Sequence, residues 1–209
     1  MLLALLFDTP MMFLVIVLGI VYALTIHEFA HAAAATYLGD NTAKFAGRLS
    51  LNPLVHLDIF GTFMLLVAGF GWGRPVPVNP YNLKYRKWGD ALVALAGPVS
   101  NFLSVIGFII IFHLASYWLP ADNMMLIFLL YLVMINFILG IFNLIPIPPL
   151  DGSKVLFAAL PDSLDNWKQK LAINGPWILL ILLVLDNVFN LHIFSSVFNF
   201  FLRFLELFL

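Results

Sequence analysis

Residues 25–31 read TIHEFAH and place the pattern H-E-x-x-H inside a long apolar run. On an α-helix, residues four positions apart share one face, so His27 and His31 can direct their imidazoles at a single metal ion. Two neutral imidazoles suit Zn²⁺, and Glu28 lies close enough to reach a water molecule beside that ion. Chance occurrences of this pattern usually lie on a solvated helix face, but polar side chains inside a membrane-type apolar helix are costly unless they are used. The stretch therefore predicts a metal site of the metalloprotease type.

The composition is that of an integral membrane protein. Of the 209 residues, 63% are hydrophobic and only 10% are charged, whereas soluble domains are about 25% charged. The mean hydropathy is +1.02. A formal net charge of −1 offers no basic surface for nucleic acid. Because the chain has no cysteine, any metal site must use histidine and carboxylate ligands.

The hydrophobic segments predict an all-α polytopic membrane protein with about four to six transmembrane helices. The predicted spans cover residues 11–38, 91–118 and 124–144, with a short helix at 153–160 and a polar loop at 161–170. Residues 176–209 predict one span, or a span followed by an interfacial helix after a break near residues 187–192. We expect residues 1–209 to form one domain, with a catalytic core at about 10–160 and C-terminal membrane helices at about 175–209.

The segment between the first two spans has a different character. Residues 43–51 predict a short strand or hairpin, and the glycine-punctuated apolar residues 59–72 predict a re-entrant segment, because they are too few to span with certainty. The prolines at positions 75, 77 and 80 favour an extended backbone over residues 74–80. Such a segment can lie along an extended substrate by edge pairing, or it can be a stiff surface loop, and the sequence alone leaves both open.

The distribution of lysine and arginine predicts the orientation in the membrane. Six basic residues lie between the first and second full spans: Lys44, Arg48, Arg74, Lys84, Arg86 and Lys87. If residues 59–72 do not cross the bilayer, all six share one face, which should be cytoplasmic. The turn at 118–123 has no basic residue and should lie outside. The end of the first span that carries the histidines is then expected on the cytoplasmic side.

A hydrolytic zinc site needs a third protein ligand and one open position. The candidates are Asp58, Asp90, Asp151, Asp186, His56, His113 and His192. Asp151 is the best of them, because it follows a proline-rich break at the end of the third span, on the same side as the histidines. The Asp151-Gly152 pair can also be read as an ordinary turn.

Several motifs in the expected order resemble the site-2 protease family of intramembrane zinc metalloproteases. They are HEFAH at 27–31, NPLVHLD at 52–58, the proline-rich residues 75–80, AGPVSN at 96–101 and NLIPIPPLDG at 143–152. The resemblance covers about residues 10–160. Many members have proline directly after the asparagine, where this chain has Leu144, and the compact branch often has proline where this chain has Ile59.

The resemblance implies the roles of the site residues and the substrate. His27, His31 and Asp151 would bind one Zn²⁺ per chain, Glu28 would act as general base, and Asn143 would steady a substrate carbonyl or oxyanion. The chain leaves no room for the PDZ or CBS domains of other branches, which indicates a compact branch. The expected partners are a transmembrane protein substrate and the lipid bilayer, with no nucleic acid and no indicated oligomeric state. The expected location is a prokaryotic cell (inner) membrane.

Two alternatives stay open at this point. His56 can be a loop histidine that bonds to the backbone, or a residue that folds over the zinc pocket as a transition-state donor or inhibitory ligand. The whole protein can also be a metal-binding transporter or sensor without proteolysis, because intramembrane His, Glu and Asp mark ion pathways. Glu28 separates the two functions, since a transporter needs no general base between its histidines.

Overall fold

The structure is a computed structural model that describes residues 2–69, 71–189 and 191–208. Nine α-helices form within these residues: α1 (Leu2–Asp8), α2 (Pro10–Tyr37), α3 (Thr42–Phe45), α4 (Ile59–Ala68), α5 (Arg86–Ser116), α6 (Met124–Asn143), α7 (Asp151–Ala159), α8 (Asp165–Val188) and α9 (Ile193–Leu205). Four helical segments are long and apolar enough to cross a membrane: Pro10–Tyr37, Arg86–Ser116, Met124–Asn143 and Asp162–Asp186. The prediction of an all-α polytopic membrane protein is therefore confirmed, at the lower end of the expected number of spans.

The prediction of a short strand or hairpin at residues 43–51 is wrong. The described part of the chain contains no strand, and extended pairing is limited to one isolated antiparallel bridge between Leu57 and Gly73. The side chains of Asn52 and Asp58 accept hydrogen bonds from the backbone N–H groups of Leu54 and Gly61. Because such caps stabilise helix starts, the chain after Asn52 forms a 3₁₀ turn and then α4. The structure does not support the prediction that residues 59–72 form a re-entrant segment.

The C-terminal region also differs from the prediction. Helix α8 begins at Asp165, so the second half of the predicted polar loop at 161–170 is helical. The Lys168 ammonium lies 2.7 Å from an Asp165 carboxylate oxygen, and this pair three residues apart stabilises the first turn. The break between α8 and α9 falls where the sequence predicted it, which favours two helices over one long span.

Helix α5 lies at the centre of the molecule and contacts α2, α6 and α7. Small buried residues, including Ala23 and Ala32 of α2 and Ala94 of α5, allow these helices to approach closely. Helix α6 ends at Asn143, and a short proline-containing connection then leads to Asp151 at the start of α7. This arrangement brings the beginning of α7 next to the histidine face of α2.

Candidate metal centre

Three side chains from two distant parts of the sequence converge at one point. His27 and His31 project from α2 one turn apart, and Asp151 is the first residue of α7. The Asp151 Oδ2 atom lies 3.1 Å from His27 Nε2 and 3.2 Å from His31 Nε2. Both imidazoles are buried, with 4% and 8% of their residue surfaces exposed. Within the described residues, these three are the group whose ligand atoms are close enough to share a metal ion.

The hydrogen bonds on the far sides of the imidazoles determine the tautomers. His31 Nδ1 lies 2.7 Å from the Val93 carbonyl oxygen, and because a carbonyl only accepts, Nδ1 carries the proton. His27 Nδ1 lies 2.7 Å from Asn101 Oδ1. That amide is oriented by its own Nδ2, which donates to the Ala23 carbonyl at 3.1 Å, so His27 Nδ1 is also the donor. In both neutral rings, Nε2 therefore presents a lone pair to Asp151.

These facing lone pairs fit a zinc ion. Asp151 Oδ2 is buried and has no hydrogen-bond donor besides the two imidazoles. With both rings neutral, the two imidazole lone pairs and the carboxylate oxygen repel each other unless a cation lies between them. Ligands bound tetrahedrally at about 2.0–2.2 Å from zinc are separated from each other by about 3.3 Å. The observed separations of 3.1 and 3.2 Å agree with that spacing.

A second layer of buried amides supports the histidines. Asn101 Nδ2 also donates to Asn136 Oδ1 at 3.0 Å, and Asn136 Nδ2 donates to the Leu132 carbonyl at 2.7 Å. Both asparagines are fully buried. Partners of this kind orient metal-binding histidines and raise their basicity. Asn101 is the last residue of the AGPVSN motif at 96–101; Asn136 was not predicted, although an amide in the apolar α6 is the signal that could have revealed it.

Glycine is required at two positions, because other atoms of the chain approach the backbone there too closely for a side chain. A Cβ at Gly97 would lie 2.6 Å from His27 Cε1 and 2.6 Å from His31 Nε2, so only glycine lets α5 pass this close to the two imidazoles. A Cβ at Gly152 would lie 2.1 Å from the Leu144 carbonyl oxygen. Because Gly152 is inside α7, the Asp-Gly pair is a helix start packed against the end of α6, and the reading as an ordinary turn is wrong.

His27, His31 and Asp151 border a cavity of about 160 Å³ that other predicted site residues also line. Glu28 and Asn143 both line it, and so does Lys154, which the sequence reasoning did not single out. Asn143 Nδ2 donates to the Leu139 carbonyl at 3.0 Å. One wall is made by residues 74–79, which we call the strap; its residues in the wall are Pro75, Val76 and Val78.

His56 does not line this cavity. Its side chain is completely buried, and Nε2 lies 2.7 Å from the Ser50 carbonyl oxygen, so it donates to the backbone. The geometry thus matches the first of its two alternatives. Other candidate ligands also have different partners: Asp58 caps α4, Asp90 pairs with Lys154 at 3.3 Å, and His113 contacts the Phe208 carbonyl at 2.9 Å.

The fold and the site together define a polytopic membrane protein in which two histidines and an aspartate converge on one point and could hold a metal ion. The profile of peptidase family M50 matches residues 117–183, which include Asp151. The Bacillus subtilis (strain 168) protein named "Putative zinc metalloprotease YwhC" is 43% identical over 155 residues, covering 70% of this chain and 69% of that protein. The Mycolicibacterium smegmatis protein named "Putative zinc metalloprotease Rip2" is 29% identical over 198 residues, covering 90% and 73%. No solved structure matches. The chain belongs to peptidase family M50, the site-2 protease family.

Proposed function

We propose that this protein is an intramembrane zinc endopeptidase that hydrolyses peptide bonds within or near transmembrane segments of other membrane proteins. The observation that carries the proposal is the placement of Glu28 in the same buried cavity as His27, His31 and Asp151. The proposal treats residues 1–209 as one membrane-embedded domain with its catalytic core at about 10–160, where all four residues lie.

The position of the metal centre along α2 supports cleavage inside the membrane thickness. His31 and His27 precede the end of α2 at Tyr37 by six and ten residues. At 1.5 Å per residue, they lie about 9 and 15 Å from that helix end. Residues at this distance from the end of a membrane-spanning helix lie within the thickness of the bilayer, where the transmembrane segment of a substrate also lies.

Each catalytic group has a distinct task. His27, His31 and Asp151 hold one zinc ion, which supplies Lewis acidity to polarise the scissile carbonyl and to acidify water. The Glu28 carboxylate takes the proton from the attacking water and delivers it to the leaving amide nitrogen. Asn143 uses one of its two Nδ2 hydrogens for the Leu139 carbonyl, which leaves the second to donate to the substrate carbonyl oxygen.

The strap supports binding of the substrate in an extended form. The backbone groups of Val76 and Val78 make no hydrogen bond with any described residue, although both residues line the cavity. Unpaired N–H and C=O groups on an extended segment are suited to pair with another extended chain. A substrate helix that unwinds locally therefore regains hydrogen bonds along the strap while its peptide bond enters the cavity.

The decisive test is cleavage by the Glu28→Gln variant. Wild-type protein and the variant, both in liposomes with a model single-span substrate, are compared for cleavage and for zinc content. The proposal predicts equal zinc in both proteins and no detectable cleavage by the variant, because glutamine cannot accept the proton. Undiminished cleavage by Glu28→Gln would eliminate this mechanism, and zinc binding with no cleavage by the wild type would favour the transporter or sensor.

We also propose that the metal centre lies toward the cytoplasmic side of a bacterial cell membrane. In support, Lys87 contacts the Leu160 carbonyl and Asp162, so the start of α5 lies beside the connection between α7 and α8. Lys154, which lines the cavity, pairs with Asp90 of α5, so the basic segment that ends at Lys87 lies near the site. Because the chain has no cysteine, Tyr81→Cys and Trp118→Cys, at positions 96% and 88% exposed, provide single labelling sites at opposite ends. We expect membrane-impermeant maleimide to label position 118 in intact cells and position 81 only after lysis; the reverse pattern would contradict the orientation.

A further inference from the structure

Each end of the strap is held by a buried charged side chain from the connection that follows α2. At the first end, Arg48 Nη1 donates to the Pro75 carbonyl at 3.1 Å, and Nη2 donates to the Arg74 carbonyl. At the other end, Asp40 Oδ2 accepts a hydrogen bond of 2.6 Å from the backbone N–H of Asn79. Asp40 has no exposed surface and Arg48 only 5%, so both charged side chains are buried.

Asp40 is itself fixed by a dense set of donors. Its Oδ1 accepts from the Thr42 backbone N–H at 3.1 Å and from Asn82 Nδ2 at 3.0 Å. Burial raises the pKa of Asp40, but the hydrogen bonds from Thr42, Asn82 and Asn79 outweigh it, and the pKa lies below its ordinary value. The carboxylate therefore stays charged at neutral pH and is a strong acceptor for the strap.

The Arg48 guanidinium is used in a way that no other side chain reproduces. Its planar fork reaches two successive carbonyls, whereas a lysine ammonium is a point charge that cannot hold both in the same geometry. The carbonyls of Arg74 and Pro75 are thereby directed at Arg48. The backbone of Val76 and Val78, between the two fastened ends, has no such partner among the described residues.

We propose that Asp40 and Arg48 are positioning residues that hold the strap across the metal cavity, so that Val76 and Val78 are presented to an extended substrate. Fixing a binding segment before the ligand arrives removes the entropy cost of ordering it on binding. Neither residue touches the reacting atoms, so their loss weakens substrate binding before it affects chemistry. The substrate step rests on the proposed function, whereas the fastening of the strap does not.

The competing explanation is that the two buried charges serve only the stability of the fold. The variants Asp40→Asn and Arg48→Lys separate these roles with little change in size. Asp40→Asn puts an amide group in place of the carboxylate whose Oδ2 accepts from the Asn79 N–H. Arg48→Lys keeps the positive charge but loses the planar guanidinium that reaches two carbonyls. Asp58→Asn is the matched control, because it also neutralises an aspartate near the strap in sequence but keeps the oxygen that caps α4.

The first measurement is the mobility of a spin label on the strap, in zinc-loaded protein without substrate. The absence of cysteine permits single labels at Pro77→Cys, on the strap, and at Leu103→Cys, a 63% exposed position on α5. We expect Asp40→Asn and Arg48→Lys each to raise mobility at position 77 and not at 103, with no change in the Asp58→Asn control. Unchanged mobility at 77, or an equal increase at both positions, would overturn the positioning role.

The second measurement separates KM from kcat for a transmembrane substrate. With zinc content equal to that of the wild type, both variants should raise KM by about five- to twentyfold, with a smaller change in kcat, because the substrate must order the strap itself. A loss confined to kcat, or an unchanged KM despite a mobile strap, would refute the role in substrate binding. A wild-type protein that cleaves nothing would refute the proposed function. The spin-label measurement would still test, independently, whether Asp40 and Arg48 hold the strap.

Discussion

Substitution of Gly97 by alanine places a methyl group where the imidazoles of His27 and His31 lie. The added Cβ would be 2.6 Å from His27 Cε1, His31 Cε1 and His31 Nε2, whereas ordinary van der Waals contact begins at 3.4 Å. The rings therefore have to move by about 0.8 Å, or α5 must retreat from α2 by a similar amount. Their movement is restricted, because Nδ1 of each ring is already hydrogen-bonded to a group on α5, at 2.7 Å in both cases.

The expected consequence is a large loss of zinc affinity. Zinc sites tolerate deviations of about 0.2 Å from ideal ligand distances, so a shift of about 0.8 Å removes at least one ligand from bonding distance. We expect the zinc dissociation constant to rise by at least about 100-fold, which corresponds to about 2.7 kcal/mol. Competition with a chromogenic chelator measures the affinity, and elemental analysis of the purified protein measures occupancy.

The same helix offers a matched control for this substitution. Gly107 also lies in α5, but a Cβ there would meet nothing within 4 Å. We expect Gly107→Ala to keep wild-type zinc affinity and to be slightly more stable, because alanine favours helix more than glycine does. Wild-type zinc affinity in Gly97→Ala would show that the imidazoles do not bind metal against Gly97, and would refute the geometry of the site.

Three further predictions follow from groups around the site. Asn101→Leu removes the acceptor that orients His27, so chelator competition should show zinc affinity about 10–100-fold weaker. His56→Ala leaves the Ser50 carbonyl without its donor, and should cost about 1–3 kcal/mol of unfolding free energy, by denaturant titration in detergent, with zinc affinity and turnover unchanged. Altered turnover in His56→Ala would instead support a catalytic role for His56. Because the pKa of Asp40 is lowered by folding, its contribution to stability is present above the ordinary aspartate pKa and is lost as pH falls through the lowered value. As the pH is lowered, the free energy of unfolding should therefore fall less steeply in Asp40→Asn than in the wild type. The same dependence on acid pH in both proteins would contradict this.

The convergence of His27, His31 and Asp151 was predictable because the histidine spacing is a property of the helix itself. The interval between His27 and His31 determines that both face one side, and the proline-rich break before Asp151 indicates a carboxylate at a helix end. The groups that orient the imidazoles were harder to predict. The Val93 carbonyl is a backbone atom with no sequence signature, and the role of Gly97 depends on how closely α5 approaches α2, which only the packing determines.

The errors in the fold prediction have local physical causes. Residues 43–51 contain no helical stripe and so predict a strand, but the stretch begins with the short helix α3 (Thr42–Phe45). Asp40 favours that start, because its Oδ1 accepts a hydrogen bond from the Thr42 backbone N–H at 3.1 Å. The charged residues at 161–170 were read as a loop, but an Asp165–Lys168 pair is also favourable in a first helical turn. Polar composition alone therefore did not distinguish a loop from the polar start of a membrane helix.

The most direct test of the account is the zinc content and zinc coordination of the wild type and of Asp151→Ala. For the wild type we predict one zinc ion per chain and an X-ray absorption spectrum with only nitrogen and oxygen ligands, at about 2.0–2.2 Å. Asp151→Ala should lose most of its zinc at chelator concentrations that leave the wild type loaded, because one of three protein ligands is missing. Full occupancy with unchanged affinity in Asp151→Ala would contradict a centre built from His27, His31 and Asp151.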